Sequence, residues 1–246
     1  MLLLIDAGNT RIKWALAAAG AAPGAWVASG AVAHAEINHL PAAWRNYSIT
    51  RAIVANVAGS KLRDQLQLMI PAKSVDWFVA RAEMNGMRNA YRRPAQLGCD
   101  RFAAALGARA LAPGQRLIVA TCGTATTIDA LCADSVFLGG MILPGLGLMA
   151  ASLARNTAQL PQVNAAAALP SGFADNTDDA ILSGCLAAQA GAIERAFAQH
   201  GATLCVLSGG AAPFIAPQLA IPCRMVDNIV LVGLHASLTP PNPDNG

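Results

Sequence analysis

The stretch Leu2-Leu3-Leu4-Ile5-Asp6-Ala7-Gly8-Asn9-Thr10-Arg11-Ile12-Lys13 decides how this chain is read. Leu2–Ile5 is a short continuous apolar run, the length of a buried strand rather than a helix. Asp-Ala-Gly-Asn-Thr then interrupts it, and a second apolar segment starts at Ile12, which gives strand, tight polar turn, strand. Gly8 permits a backbone geometry closed to residues with side chains and lets a phosphate approach the main chain. Asn9 and Thr10 add short polar groups, and Lys13 a point positive charge. Asp6, at the end of a strand, can hold Mg²⁺ through water. A type I′ hairpin turn would also favour Asn and Gly, but a turn alone needs neither the carboxylate nor the lysine that flank this one.

The same pattern returns further along. Leu117–Ala120 starts a strand, and Cys122-Gly123-Thr124-Ala125-Thr126-Thr127 is a Gly/Thr turn entering the apolar segment Thr126–Leu131. Its backbone N–H groups and hydroxyls suit phosphate oxygens. Thr-rich strands are ordinary, so the weight of this turn comes from its pairing with the first. Ser208-Gly209-Gly210, after the apolar run Leu204–Leu207, fits close approach of an adenosine or a plain turn. Further strands are expected near Trp26–Val32, Ala52–Val54, Val75–Val79 and Val136–Leu143. Helices are expected over about 60–69, about 100–111, Asp178–Gln199 and Ile229–Leu238, with Asn176 or Thr177 as N-cap of the long one. The Pro/Asn-rich tail Thr239–Gly246 reads as frayed. Periodicity gives mixed α/β. The repeated hairpin resembles the duplicated half-domains of the actin-like (ribonuclease H-like) ATPase fold, two half-domains around a nucleotide cleft, here 1–115 and 116–246.

Composition narrows the alternatives. The chain has 246 residues, 54% hydrophobic and 13% charged, with a formal net charge of +3. The charged fraction is about half the usual ~25%, which excludes a disordered, solvating chain. Lys13, Lys61 and Lys73 are the only lysines and the arginines are scattered, which argues against a nucleic-acid partner. Two uncharged stretches, Trp14–Ala33 and Ser135–Ala154, approach the length of a membrane span. The first is Ala/Gly-rich around Pro23, and the second is broken by Gly139, Gly140, Pro144, Gly145 and Gly147. Met1–Ile5 is too short for a secretory signal. The six cysteines contain no CxxC pair, so buried reduced thiols are expected, in a cytoplasmic protein without a membrane partner.

Tyr91-Arg92-Arg93-Pro94-Ala95-Gln96-Leu97-Gly98-Cys99-Asp100-Arg101 forms a third constellation. Asp100 at a helix start could be no more than a carboxylate favoured by the dipole, with Arg101 its surface partner. Equally, a carboxylate beside a glycine and a guanidinium is what phosphorylation of a hydroxyl requires: one orients the hydroxyl proton, the other binds an anionic group. Gly145-Leu146-Gly147-Leu148-Met149-Ala150 matches GxGxxA formally, but Pro144 precedes it and no acidic partner follows at the dinucleotide-site distance; its glycines suit a helix packed tightly on its sheet. No GxxxxGK followed by Ser or Thr occurs. His34, His39, His200 and His235 lack a Ser or Cys partner in any recognisable motif.

Taken in order, Asp6–Lys13, Tyr91…Pro94…Gly98-x-Asp100-Arg101, Gly123-Thr124-Ala125-Thr126-Thr127 and Gly139-Gly140…Pro144-Gly145 resemble the type III pantothenate kinase family, over essentially the whole chain. The resemblance implies ATP-dependent phosphorylation of pantothenate to 4′-phosphopantothenate, the opening step of coenzyme A synthesis, by a cytoplasmic homodimer. It implies that Asp6, Ala7, Gly8, Asn9, Thr10, Arg11, Ile12 and Lys13 cradle the ATP phosphates with Mg²⁺ at Asp6, and that Gly123 and Thr124 hold them from the other side. Asp100 would be the general base, and Tyr91, Gly98, Cys99, Asp100, Arg101 and Thr177 would bind pantothenate. The family commonly has an aspartate, ligand of K⁺ or NH₄⁺, two residues before the Gly-Thr turn; here it is Thr121, a poorer cation ligand. Two other readings stand beside this one: a kinase of another small hydroxylated substrate on the same fold, and a non-catalytic accessory factor for transcription.

Overall fold

The structure is a computed structural model that describes residues 1–156 and 172–238; the tail Thr239–Gly246 lies outside the described residues. In chain order the elements are β1 (Leu2–Ala7), β2 (Arg11–Ala17), β3 (Ala28–Ala33), α1 (Leu40–Trp44), β4 (Arg51–Asn56), α2 (Ser60–Met69), β5 (Ser74–Trp77), β6 (Glu83–Met84), β7 (Met87–Asn89) and α3 (Cys99–Leu111). They continue as β8 (Leu117–Cys122), β9 (Ala125–Leu131), β10 (Val136–Pro144), α4 (Leu146–Asn156), α5 (Thr177–His200), β11 (Leu204–Ser208), α6 (Ala212–Ile215), β12 (Cys223–Val226) and α7 (Ile229–Ala236). The chain divides into two compact units. The first holds Met1–Pro113, Ser135–Phe137 and the segment from Asn228; the second holds Gly114–Asp134 and Leu138–Asp227.

In the first unit the sheet order is β3-β2-β1-β4-β5. β1 pairs antiparallel with β2 and parallel with β4, so it lies at the centre of the sheet. A central strand covered on both faces reads as a continuous apolar run, and Leu3, Leu4 and Ile5 are fully buried. One cluster gathers Leu3, Ile5, Ile12, Leu40, Trp44 and Leu66. Helices α3 and α7 cross backbone to backbone: a Cβ on Gly233 would lie 1.7 Å from the Ala103 carbonyl oxygen, and one on Gly107 would lie 2.6 Å from that of Ile229. All of Ile229–His235 in α7 is buried, as expected of a helix apolar on every side.

In the second unit the order β10-β9-β8-β11-β12 repeats that of the first. Again the central strand, β8, pairs antiparallel with its hairpin partner β9 and parallel with β11. α5 supplies Ile181, Leu186 and Ile193 to the core beneath Ile118, Ile128 and Leu207. Asn176, not Thr177, caps α5, its side chain accepting from the Asp179 amide at 3.0 Å.

Two turns bear on the reading of the hairpins. The β1–β2 turn closes with the Gly8 amide donating to Arg11 O at 3.1 Å, yet Gly8, Asn9 and Thr10 all lack positive φ, so it is not type I′ and Gly8 is not there for backbone freedom. The type I′ signature falls instead on Asn85-Gly86, with φ of 49° and 74°, between the short strands β6 and β7. Among the described residues no helix is long and apolar enough to cross a membrane.

Candidate active site

In the first unit, the sheet brings the predicted residues to the carboxyl ends of its central strands, where open α/β sheets bind ligands. Asp6 is the last residue but one of β1 and faces Lys13 across the β1–β2 ladder; Asn56 ends the neighbouring β4 beside Ala7. The N-terminus of α3 is tied to that edge by Cys99, whose thiol donates to Asn56 O at 3.6 Å. Burial, then the charge of Asp100, push this thiol up to about 11. It is therefore protonated at neutral pH, a weak donor and no nucleophile.

Asp6 is half-buried, and burial raises its carboxyl above the ordinary carboxylate value. A hydrogen bond from Asn228 and the positive charge of Lys13 oppose that shift, while the negative charge of Asp100 adds to it. Two carboxylates that feel each other, with a lysine opposite one of them on the neighbouring strand, suit a site that handles a cation and an anion together. Asn228 Nδ2 donates to Asp6 Oδ2 at 3.0 Å. The composition gave no hint of this contact.

Asp100 lies in the first turn of α3 and accepts from the Arg101 amide at 2.8 Å through Oδ1. Gly98 makes that pose possible, since a Cβ there would lie 2.6 Å from the same oxygen. Arg101 is buried at 7% exposure, and its guanidinium donates to the Tyr91 hydroxyl at 2.9 Å. Tyr91 packs on Phe137 with ring centroids 5.9 Å apart. Arg101 is thus no surface partner of Asp100; it is a buried cation fixed by an aromatic hydroxyl.

The first turn has a further support that the sequence did not signal. His34 Nε2 lies 2.8 Å from Gly8 O, and because a carbonyl only accepts, that nitrogen carries the proton. A carbonyl drawn aside in this way does not oppose an anion at the turn.

In the second unit the Gly123-Thr124 turn is exposed and its carbonyls are likewise engaged. Thr124 O accepts from the Gly145 amide and Cys122 O from the Ala211 amide, each at 2.9 Å. A Cβ on Gly145 would lie 2.1 Å from Gly123 O, and one on Gly209 would lie 2.3 Å from Cys122 O. The glycine of Pro144-Gly145 therefore serves the turn. A Cβ on Gly147 would meet nothing within 4 Å, contrary to the helix-on-sheet expectation. Thr121 sits on β8 between Thr127 on β9 and Ser208 on β11. Neither neighbour supplies the missing carboxylate, so this set fits a monovalent cation only through neutral oxygens. Thr177 is the first residue of α5, beside a cavity of about 710 Å³ that Met149, Ile181 and Cys185 also line.

Among the described residues no three His, Cys, Asp or Glu side chains gather as a metal site. Magnesium does not require such a group: it is usually held by one or two carboxylates together with substrate phosphates and water, and Asp6 fits that role.

Comparison with known proteins agrees with these observations. A sequence family described as type III pantothenate kinase matches residues 2–199. The type III pantothenate kinase of Janthinobacterium sp. (strain Marseille) is 57% identical over 250 residues, covering 96% of each chain. That of Herminiimonas arsenicoxydans is 55% identical over 248 residues, again covering 96% of each. Among solved structures, a conserved protein from Campylobacter jejuni assigned to the Baf family of transcriptional activators superimposes with a TM-score of 0.63 at 19% identity, covering 96% of each chain. That likeness carries the fold alone, and with the repeated strand order it gives the actin-like ATPase fold. Matched by the family over most of its length and by relatives over nearly all of it, this chain belongs to the type III pantothenate kinase family.

Proposed function

We propose that the chain transfers the terminal phosphoryl group of ATP to the hydroxyl of pantothenate, giving 4′-phosphopantothenate, and that Asp100 is the general base. The observation that supports this most is the meeting of Asp6, Lys13 and Asp100 at one sheet edge, with Gly98 leaving room for the Asp100 carboxylate. Phosphoryl transfer leaves little covalent work to the protein and depends on positioning and charge neutralisation. Asp100 accepts the hydroxyl proton as the oxygen attacks. Arg101, held by Tyr91, binds the pantothenate carboxylate, with Gly98, Cys99 and Thr177 completing the substrate contacts.

Asp6 to Lys13 in the first unit, and Gly123 and Thr124 in the second, bind ATP phosphates through amides whose neighbouring carbonyls are drawn away by His34, Gly145 and Ala211. Asp6 would hold magnesium, which would neutralise phosphate charge. A monovalent cation, K⁺ or NH₄⁺, belongs at Thr121 if it is used, held by neutral oxygens. We further propose a cytoplasmic homodimer: Leu138, Met141 and Ile142 are all exposed along β10, apolar surface suited to a subunit contact.

The experiment is Asp100→Asn. It should lose pantothenate phosphorylation while binding ATP as the wild type does. A variant that retains turnover would remove Asp100 from the role of base.

A further inference from the structure

Asn228 precedes α7, is buried at 7% exposure, and uses both ends of its amide. Its Oδ1 accepts the Leu231 amide at 3.0 Å and caps the helix. Its Nδ2 donates to Asp6 Oδ2 at 3.0 Å, across 222 positions of sequence. Capping explains why a short polar residue stands here, but Asn, Asp and Ser cap about equally well. Of the three, only Asn carries a separate acceptor and N–H donor on one side chain. With Oδ2 engaged by Asn228, Asp6 keeps Oδ1 for another partner.

The helix that Asn228 caps is not free to drift. Gly233 and Gly107 bring α7 and α3 into backbone contact, and α3 carries Asp100 in its first turn. One side chain therefore ties the Asp6 carboxylate to the helix pair that sets the position of Asp100.

We propose that Asn228 is a positioning residue of the phosphate-transfer site: its amide fixes the Asp6 rotamer for the magnesium nucleotide and holds it in register with Asp100. The proposal rests on the reading of Asp6 given above. Asn228→Ser is the appropriate change, because the serine oxygen keeps the cap but sits too close to the backbone to reach Asp6.

The measurement is calorimetric binding of a non-hydrolysable ATP analogue to the full chain, with and without Mg²⁺. In the wild type, Mg²⁺ tightens binding. In Asn228→Ser that gain shrinks by about tenfold, the size of one lost hydrogen bond to a charged group. Affinity without Mg²⁺ and the KM for pantothenate stay close to wild type, and the melting temperature falls by no more than ~2–6 °C, as for one lost buried hydrogen bond. In an Asp6→Asn background, Asn228→Ser changes nothing further, because its effect passes through Asp6. A wild-type magnesium gain in Asn228→Ser overturns the proposal, as does an additive loss in the double variant. If Asp6→Asn alone keeps the full gain, the assignment of Asp6 falls first, and the two failures are thereby told apart.

Discussion

Gly98→Ala separates catalysis from folding in a single methyl group. Gly98 is the N-cap of α3, with φ −54° and ψ 132°, a conformation open to any residue. The added Cβ would lie 2.6 Å from Asp100 Oδ1, so the carboxylate must move by about 0.8 Å to reach ordinary contact. What yields is the end of a side chain rather than backbone. Losing glycine at an N-cap costs up to about 1 kcal/mol, which in a chain of this size shifts the melting temperature by only ~2–4 °C. Misplacing a catalytic group by about 1 Å can cost on the order of a hundredfold in rate. Initial rates with pantothenate should therefore show kcat reduced about 30- to 100-fold, with ATP-analogue affinity unchanged. A kcat within threefold of wild type, or a loss of activity that merely follows a loss of folded protein, would refute this reasoning about the base.

Other outcomes follow from the same contacts. Gly145→Ala places a Cβ 2.1 Å from Gly123 O, a backbone collision; ATP affinity falls and thermal melts show a loss of about 1–3 kcal/mol. His34→Ala frees Gly8 O; the KM for ATP rises about fivefold, as for one ordinary hydrogen bond, and the KM for pantothenate stays unchanged in steady-state assays. Burial raises the Asp6 carboxyl above its ordinary 3.8, so the folded chain holds that proton more tightly than the unfolded one. Its contribution to stability is then full below pH of about 4 and is lost as pH rises through the folded pKa. Asp6→Asn cannot ionise; in melts over a pH series it should exceed the wild type at neutral pH, with the difference closing towards pH 4, although its activity is lost.

Much of this arrangement is legible in the sequence because it rests on short-range signals. The strands around Asp6–Lys13 and Cys122–Thr127 are apolar runs broken by Gly and Thr, and the long helix announces itself by Asn176 and the acidic Asp178 and Asp179. Asn85-Gly86 is an equally explicit hairpin signal, but its strands have two and three residues, too short to show alternation. Gly8 marks the opposite failure. The residue type points to a special backbone conformation, whereas the structure gives it an ordinary one, which leaves close approach to the main chain as its use. Asn228 and His34 lie beyond sequence reasoning for another reason. Asn228 could be read as a helix cap, but its bond to Asp6 spans the two ends of the chain, and the contact of His34 with Gly8 spans 26 positions. Only the assembled sheet and its packed helices create those contacts. The same packing explains the scarcity of charge: α7 is buried almost throughout, while Lys13 and Asp100 lie close enough to Asp6 for their charges to act on its carboxyl.

The central claim is tested most directly by identifying the product of the purified chain. It should be incubated with ATP, Mg²⁺ and pantothenate, in separate reactions with K⁺, NH₄⁺ or neither. The account predicts 4′-phosphopantothenate and ADP in equal amounts, with Asp100→Asn giving neither. ATP consumption without phosphopantothenate, or no turnover under any of the three cation conditions, would contradict it.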